Sequence, residues 1–262
     1  MTDTVPLAAT VLLLRDGGNG LELLMITRHA ETVFAGGALV FPGGRQDAED
    51  AAPELLKHCR VVPSDDTAQM VLRVCGIRET FEEAGLLLAR PFGRETLLTG
   101  DEVKAIVARL TAKLGRLPDF TELVIQGEIE LATDQLILFA HWITPKIRPR
   151  RYDTYFYLAP APVHQEALHD GHEAVASVWV SPGQAAQDGA DKRVKMIFAT
   201  RFNLVKLARN TTQATAFEAA RNDTIVTVCP EYRETPQGLM WCIPIEAGYG
   251  VSETLVANEV AA

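Results

Sequence analysis

Short apolar runs, many of them alternating with polar positions, divide the chain into a series of predicted strands. Such runs are typical of strands in a partly buried sheet when they are rich in β-branched and aromatic residues. The predicted strands are Ala8–Arg15, Glu22–Arg28, Gly37–Phe41, Leu136–Ile143, Tyr152–Leu158, Glu173–Val180, Ile225–Cys229 and Leu239–Ile243. Asp16–Gly20, which is rich in glycine, joins the first two as a hairpin loop.

Other segments have the composition and the end signals of helices. The longest runs through residues 64–85, with Asp65 and Asp66 available to cap its start and Gly85 to end it. The remaining predicted helices are Asp101–Leu114, capped by Asp101, Val194–Arg209 and a short one near Glu54–Arg60. Leu123–Ile129 fits neither pattern. Strands mixed with flanking helices predict an α/β fold, an α/β/α sandwich on a mixed sheet.

Three carboxylates crowd the end of the long helix, at Glu79, Glu82 and Glu83. Like charges three and four positions apart repel each other, and the carboxyl end of a helix dipole disfavours anions. A hard divalent cation, Mg²⁺ or Mn²⁺, would remove both costs because it takes oxygen ligands. A solvated acidic face, with Arg78 paired to Glu82, is the alternative interpretation.

A glycine-rich turn lies upstream, where a short apolar strand ends in Phe41-Pro42-Gly43-Gly44. Glycine pairs permit a tight turn and let the backbone approach a ligand closely. Together with the acidic helix, this turn resembles the signature of the Nudix hydrolases. That motif reads Gly, five residues, Glu, seven residues, then Arg-Glu-apolar-x-Glu-Glu-x-Gly-apolar. Gly44 opens it here, and Arg78–Leu86 closes it.

The chain departs from the motif in three ways. Asp50 stands where the family has its first Glu, and Thr80 occupies a normally apolar position. Asp50 and Arg78 are also 28 positions apart, so residues 51–70 form an insertion inside the motif. The two halves can still meet, because each doubling of a loop's length costs only about 0.6 kcal/mol in closure entropy.

The resemblance implies a site and a reaction, the metal-dependent hydrolysis of a diphosphate bond in a nucleoside diphosphate linked to another group. The metal ligands would be Glu79, Glu82, Glu83 and the backbone of Gly44. The catalytic residues would be Glu79, Glu82, Arg78 and Glu173, with Glu166 as the alternative to Glu173. Arg78 would anchor carboxylates rather than touch substrate. The substrate-binding residues would be Arg28, Phe41, Gly43, Arg150 and Arg151.

Two further clusters have open interpretations. Arg148, Arg150 and Arg151 precede an aromatic run and could bind an extra phosphate of a nucleotide, or pair with surface acids. His164, His169 and His172 lie with Asp170 in one loop, but their spacing is not a standard zinc pattern, which favours a solvated loop over a structural zinc site.

Within the Nudix family, the turn before the motif and the insertion inside it look most like the coenzyme A diphosphatases. That branch cleaves coenzyme A or acyl-coenzyme A to 3′,5′-ADP and phosphopantetheine. The alternatives are a pyrophosphatase for ADP-ribose, a dinucleotide or a nucleotide sugar, and a non-catalytic nucleotide-sensing domain. The family resemblance also implies a homodimer.

Composition limits the number of domains, the kinds of partner and the cellular location that we expect. The chain has 262 residues, 47% of them hydrophobic, which is enough to bury the core of one domain. The resemblance implies that this domain, over 1–262, is a Nudix domain. Residues 89–130 would form a cap and 190–262 a C-terminal extension. The net charge of −9 argues against a nucleic-acid partner. The chain shows no membrane span or secretory pattern, and its four cysteines show no paired spacing, so we expect a reduced, cytoplasmic protein.

Overall fold

A computed structural model describes residues 4–31, 35–168, 174–236 and 238–255 of the chain. The strands are β1 (Leu7–Gly17), β2 (Gly20–Arg28), β3 (Leu39–Val40), β4 (Gly43–Arg45), β5 (Ala89–Pro91), β6 (Ile129–Leu131), β7 (Ile137–Ile143), β8 (Asp153–Pro160), β9 (Ala174–Val180), β10 (Thr227–Val228), β11 (Glu231–Thr235), β12 (Gly238–Cys242) and β13 (Glu253–Leu255). The helices are α1 (Pro53–Leu56), α2 (Thr67–Ala84), α3 (Gly100–Leu114), α4 (Phe120–Gly127), α5 (Pro182–Ala190), α6 (Phe198–Leu207) and α7 (Gln213–Asn222).

The predicted mixed sheet is confirmed and has eight strands. Its main path runs β10-β7-β8-β1-β2-β3, with β4 also paired to β1 and β9 to β2. The β1–β8 and β10–β7 pairs are parallel, and the others are antiparallel. β11-β12-β13 and β5-β6 form two smaller sheets.

Helices cover both faces of the large sheet, because its central strand β1 is apolar on both sides. Successive side chains of a strand point to opposite faces, so Val11 and Leu13 join the core beneath α2 while Leu12 and Leu14 join the core beneath α5, α6 and α7. All four side chains are fully buried. The α/β/α sandwich is therefore confirmed.

The long acidic helix begins and ends as its sequence predicts. Asp66 accepts a hydrogen bond from the backbone of Gln69, and Gly85 takes the left-handed conformation with φ of 69°. Thr80, the polar residue at a normally apolar position of the motif, is buried, and its hydroxyl donates to the carbonyl of Gly76 at 2.7 Å. That internal hydrogen bond satisfies the hydroxyl and explains why the substitution is tolerated.

Several predicted boundaries were wrong. Helix α3 is capped by Thr99 in a capping box with Glu102, not by Asp101. Helix α6 begins at Phe198 rather than Val194, and the first hairpin is tighter than Asp16–Gly20 because both strands continue into it. Helices α4, α5 and α7, and strands β4, β5, β6, β11 and β13, were not predicted. The buried positions of α5 and α7 are occupied by Pro, Ala and Gly, so the stripe that each helix buries gives only a weak hydrophobic signal in the sequence.

The insertion at 51–70 packs against the segment predicted as a cap. The backbone nitrogen of Arg60 donates to the carbonyl of Leu131 at 3.0 Å, and its guanidinium donates to Glu130 at 2.8 Å. Two regions that are far apart in the chain therefore form one unit, which shares its core with α2. Among the described residues, no helix is both long enough and apolar enough to cross a membrane.

Candidate active site

The two halves of the split motif meet through Asp50 and Arg78. The Asp50 carboxylate is fully buried and accepts from Nε of Arg78 at 2.8 Å and from Nη2 at 3.1 Å. The same guanidinium donates to the carbonyl of Arg45 at 3.0 Å and to Glu82 at 2.8 Å. Arg78 thus binds residues on both sides of the insertion, as expected of an anchoring residue.

The carboxylates around Arg78 favour the charged form of its guanidinium. Burial acts to lower the pKa of Arg78, but the hydrogen bond to Asp50 and the charges of Glu79 and Asp50 outweigh it and raise that pKa. For Glu82, burial raises the pKa of the carboxyl, and the charge and hydrogen bond of Arg78 oppose that rise. Arg78 therefore stays protonated and can hold the surrounding carboxylates in place.

The three glutamates do not share one environment. Glu79 and Glu83 line a cavity of ≈ 550 Å³, together with Arg28 and Gly44. The Glu82 side chain is about half exposed, is not among the cavity-lining residues and is bonded to Arg78. Within the described part of the chain, no three His, Cys, Asp or Glu side chains form a ready-made metal cluster.

Glu83 fixes the glycine turn. Its Oε2 accepts from the backbone nitrogen of Gly43 at 2.8 Å, and its Oε1 lies 3.5 Å from Nη1 of Arg28. Glycine is required at position 43, because φ is 153° and a Cβ would lie 2.5 Å from the carbonyl oxygen of Ala9. The hydrogen bond from Gly43 to Glu83 holds the turn at the edge of the sheet, next to the end of α2.

Gly44 has a different reason to be glycine. A Cβ there would lie 2.6 Å from the carboxylate of Glu79. The missing side chain leaves the space that this carboxylate occupies at the edge of the cavity. Two oxygen-bearing groups, the Glu79 carboxylate and the Gly44 backbone, are thereby brought together across 35 positions of sequence.

One face of the sheet forms the floor of the cavity. Trp142 pairs with Thr154, Thr154 with Ala8, and Ala8 with Arg45, and all four line the cavity. This row crosses three inter-strand spacings of about 4.8 Å, so it spans roughly 14 Å. The carboxylates of α2 border one end of the row, and the turn between β7 and β8 borders the other.

The predicted substrate-binding residues separate into two groups. Arg28, Phe41, Gly43 and Arg150 line the cavity. Arg28 Nε is buried and has no hydrogen-bond partner among the described residues. Arg151 does not line the cavity, and its Nε donates to the carbonyl of Thr144 at 2.9 Å.

Some of the site residues predicted between 161 and 173 fall outside the part of the chain that the structure describes. Glu173, His169, His172 and Asp170 lie outside the described residues. Glu166 is exposed and does not line the cavity.

Several cavity residues escaped the sequence analysis. They are Thr10, Arg45, Trp142, Thr154, Phe198, Thr200, Pro230 and Trp241. For Thr10 and Thr154 the available signal was a polar residue at an inward position of an apolar strand. No local signal marks Phe198 or Trp241, because only the packing of the C-terminal extension brings them to this face.

Comparisons with known proteins agree with this geometry. A family model described as the NUDT19 Nudix domain matches residues 57–207. The chain belongs to the NUDT19 Nudix domain family. That match begins inside the insertion and includes α2 with its acidic end, so it confirms the resemblance seen in the sequence.

Relatives and a solved structure extend the comparison. The acyl-coenzyme A diphosphatase NUDT19 of Gallus gallus is 30% identical, over 63% of this chain and 55% of its own length. The protein of that name from Homo sapiens is 27% identical, over 67% of this chain and 57% of its own. This NUDT19-family chain thus spans about half the length of its curated relatives. A Nudix hydrolase structure from Alicyclobacillus acidocaldarius shares 26% identity and a TM-score of 0.66, covering 83% of this chain and 97% of that one.

Proposed function

We propose that this chain hydrolyses the diphosphate bond of coenzyme A or acyl-coenzyme A, giving 3′,5′-ADP and phosphopantetheine or its acyl form. The observation that carries the proposal is the Asp50–Arg78 contact, which closes the split motif beside a cavity lined by Glu79 and Glu83. The printed names of the curated relatives support the choice of substrate.

The residues present fit a divalent cation, Mg²⁺ or Mn²⁺. Glu79 and Glu83 present hard carboxylate oxygens to the cavity, and Gly44 leaves room for the first of them. Magnesium is commonly held by one or two carboxylates together with water and substrate phosphates, so a cluster of three protein ligands is not required. Glu82 would complete the set from its place beside Arg78. When bound, such an ion acts as a Lewis acid and lowers the pKa of water.

The chain's own residues then position the reactants. Arg28, next to Glu83, carries a buried Nε that can donate to a phosphate oxygen of the substrate. Water attacks one phosphorus of the diphosphate, the bond to the bridging oxygen breaks, and the leaving phosphate takes that oxygen. Glu79 is the carboxylate best placed to accept the proton of the attacking water, because it faces the cavity while the oxygens of Glu83 contact Gly43 and Arg28.

Glu173 remains a second candidate base. Both flanks of its segment are attached beside the carboxylates of α2. The backbone nitrogen of Leu168 donates to the carbonyl of Ala84 at 2.9 Å, and Ala174 pairs with Arg28. Glu173 itself lies outside the described residues, and its proposed role rests on the family resemblance.

Product analysis tests the proposal. The purified chain is incubated with Mg²⁺ and one compound at a time: coenzyme A, an acyl-coenzyme A, ADP-ribose, NADH or a diadenosine polyphosphate. The products are separated by liquid chromatography and identified by mass spectrometry. We expect 3′,5′-ADP and phosphopantetheine from coenzyme A, and ¹⁸O-labelled water identifies the phosphorus attacked. If ADP-ribose alone were cleaved, coenzyme A would not be the substrate. If compounds bound but none was cleaved, the chain would not be an enzyme for this reaction.

Assembly and location are proposed on separate grounds. A homodimer and a cytoplasmic location are what the family resemblance and composition predict, and light scattering of the purified chain together with cell fractionation would test them.

A further inference from the structure

The C-terminal extension forms one wall of the cavity. Phe198 and Thr200 of α6, Pro230 before β11 and Trp241 of β12 all line it. A buried network ties this region to the cavity floor, since Trp142 Nε1 donates to the hydroxyl of Tyr249 at 2.8 Å. The extension is therefore part of the site and does not merely cover the outside of the fold.

Trp241 is fixed within this wall. It is 2% exposed and stacks on Tyr232, with ring centroids 3.7 Å apart, and on Phe198, with centroids 5.6 Å apart. The guanidinium carbon of Arg148 lies 5.8 Å from the centre of the Trp241 ring. A cation at that distance from an indole is attracted to the ring, so the wall holds an arginine that itself lines the cavity.

The turn that carries Arg148 also limits its freedom. Its backbone nitrogen donates to the carbonyl of Pro145 at 3.1 Å, and Pro149 follows it directly. A residue that precedes proline is restricted to extended conformations. Arg148 is therefore positioned before any ligand arrives, which reduces the entropy that binding would cost.

The cavity thus has two chemically different ends. The Glu79 and Glu83 carboxylates border one end, with Arg28 and Arg45 beside them. Arg148 and Arg150, without a carboxylate among the described cavity-lining residues nearby, border the other end, about three strand spacings away. A substrate whose diphosphate lies at the carboxylate end and which carries a second phosphate elsewhere would meet both ends. Arginine binds a phosphate dianion bidentately, which makes the second end selective for a phosphomonoester.

We propose that Arg148, positioned by Trp241, binds the 3′-phosphate of the adenosine moiety and selects 3′-phosphorylated substrates. This inference rests on the proposed function and assigns its substrate recognition to particular residues. Trp241 is a positioning residue, because it acts through Arg148. Arg150, which is exposed at the mouth of the same cavity, adds a weaker contact.

The test compares coenzyme A with dephospho-coenzyme A, which lacks only the 3′-phosphate. We expect the unmodified chain to prefer coenzyme A, and Arg148→Ala to reduce the ratio of the two kcat/KM values roughly ten- to hundred-fold, as loss of a charge-assisted hydrogen bond does. Lys146→Ala removes a cation from the same turn outside the cavity and serves as the matched control, with an unchanged ratio expected. An equal ratio in Arg148→Ala and the unmodified chain would overturn the proposal.

Substitutions of Trp241 test whether it positions Arg148. Trp241→Leu should raise KM for coenzyme A with little change in kcat, whereas Trp241→Phe, which keeps an aromatic face, should restore KM. Thermal unfolding followed by circular dichroism identifies variants that fail to fold, and Arg148→Ala on the surface turn keeps the test decisive if Trp241→Leu is one of them. A fall in kcat with unchanged KM would contradict the positioning role.

A binding measurement separates this inference from the proposed function. Calorimetry of the metal-free chain with adenosine 3′,5′-bisphosphate and with adenosine 5′-monophosphate needs no turnover. We expect tighter binding of the bisphosphate, and loss of that preference in Arg148→Ala. If the preference is present but neither coenzyme is cleaved, only the proposed function fails. If cleavage occurs without any preference, only the 3′-phosphate assignment fails.

Discussion

The carboxylate of Asp50 accepts two hydrogen bonds from the guanidinium of Arg78, at 2.8 Å and 3.1 Å, across 28 positions of sequence. Asp50 is fully buried, and the Arg78 side chain is 10% exposed. The pair connects the glycine turn to the acidic helix, so the chain leaves the motif at the insertion and returns to it afterwards. The geometry of the site therefore depends on it.

Breaking this pair should destabilise the fold. Asp50→Asn removes the negative charge opposite a buried arginine, and we expect a loss of about 3–5 kcal/mol in the free energy of unfolding. Urea unfolding followed by fluorescence measures it. Asp101→Asn removes an exposed acid from α3 and should change stability by no more than about 0.5 kcal/mol. Equal effects of the two variants would contradict the structural role of the pair.

Alanine substitutions of the two glycines in the turn should have different effects. Gly43→Ala meets backbone atoms of β1 at a φ unsuited to alanine, so it should lower the melting temperature. For Gly44→Ala the atoms nearest to the added Cβ are those of the Glu79 carboxylate, the end of a flexible side chain, so this variant should reduce kcat while stability changes little. Gly18→Ala, where a Cβ would meet nothing within 4 Å, is the control. A loss of stability in Gly44→Ala as large as in Gly43→Ala would refute this distinction.

The glutamates should differ in their effect on turnover. Glu79→Gln removes a carboxylate that faces the cavity, and we expect kcat to fall by roughly 10²–10⁴-fold. Glu82→Gln should cost less, because both carboxylates pair with Arg78 but only that of Glu79 also lines the cavity. Mg²⁺ titrations of kcat with both variants, after treatment with a chelator, measure the difference. Glu218→Gln on the exposed face of α7 is the control, and full activity of Glu79→Gln would exclude the site.

Acid should weaken the start of helix α3. Hydrogen bonds from Arg94 and from the Thr99 backbone lower the pKa of Glu102 from 4.5 to about 2. A lowered folded-state pKa contributes stability above the unfolded value, and that contribution is lost as the pH falls from 4.5 towards 2. We therefore expect Glu102→Gln to melt below the unmodified chain at neutral pH, with the gap closing below pH 4.5. A gap that is constant with pH, measured by calorimetry, would contradict this.

Prediction from sequence succeeded where the physics is local. The caps of α2 at Asp66 and Gly85 depend on a few neighbouring residues, and both are confirmed. The apolar run at Ala8–Arg15 predicted a strand, which β1 (Leu7–Gly17) confirms. Helices α5 and α7 escaped because they consist largely of small and polar residues whose burial depends on partners elsewhere in the chain.

The sequence by itself determined the chemistry available to this protein: a glycine turn, three glutamates at a helix end and an arginine cluster. Tertiary structure decided which of these groups face one cavity. It directed Glu79 and Glu83 inward and Glu82 towards Arg78, joined Asp50 to Arg78 across the insertion, and brought Trp241 against Arg148. The reason is physical. Residue types and short spacings follow from local backbone geometry, whereas contacts between distant segments depend on how the whole core packs.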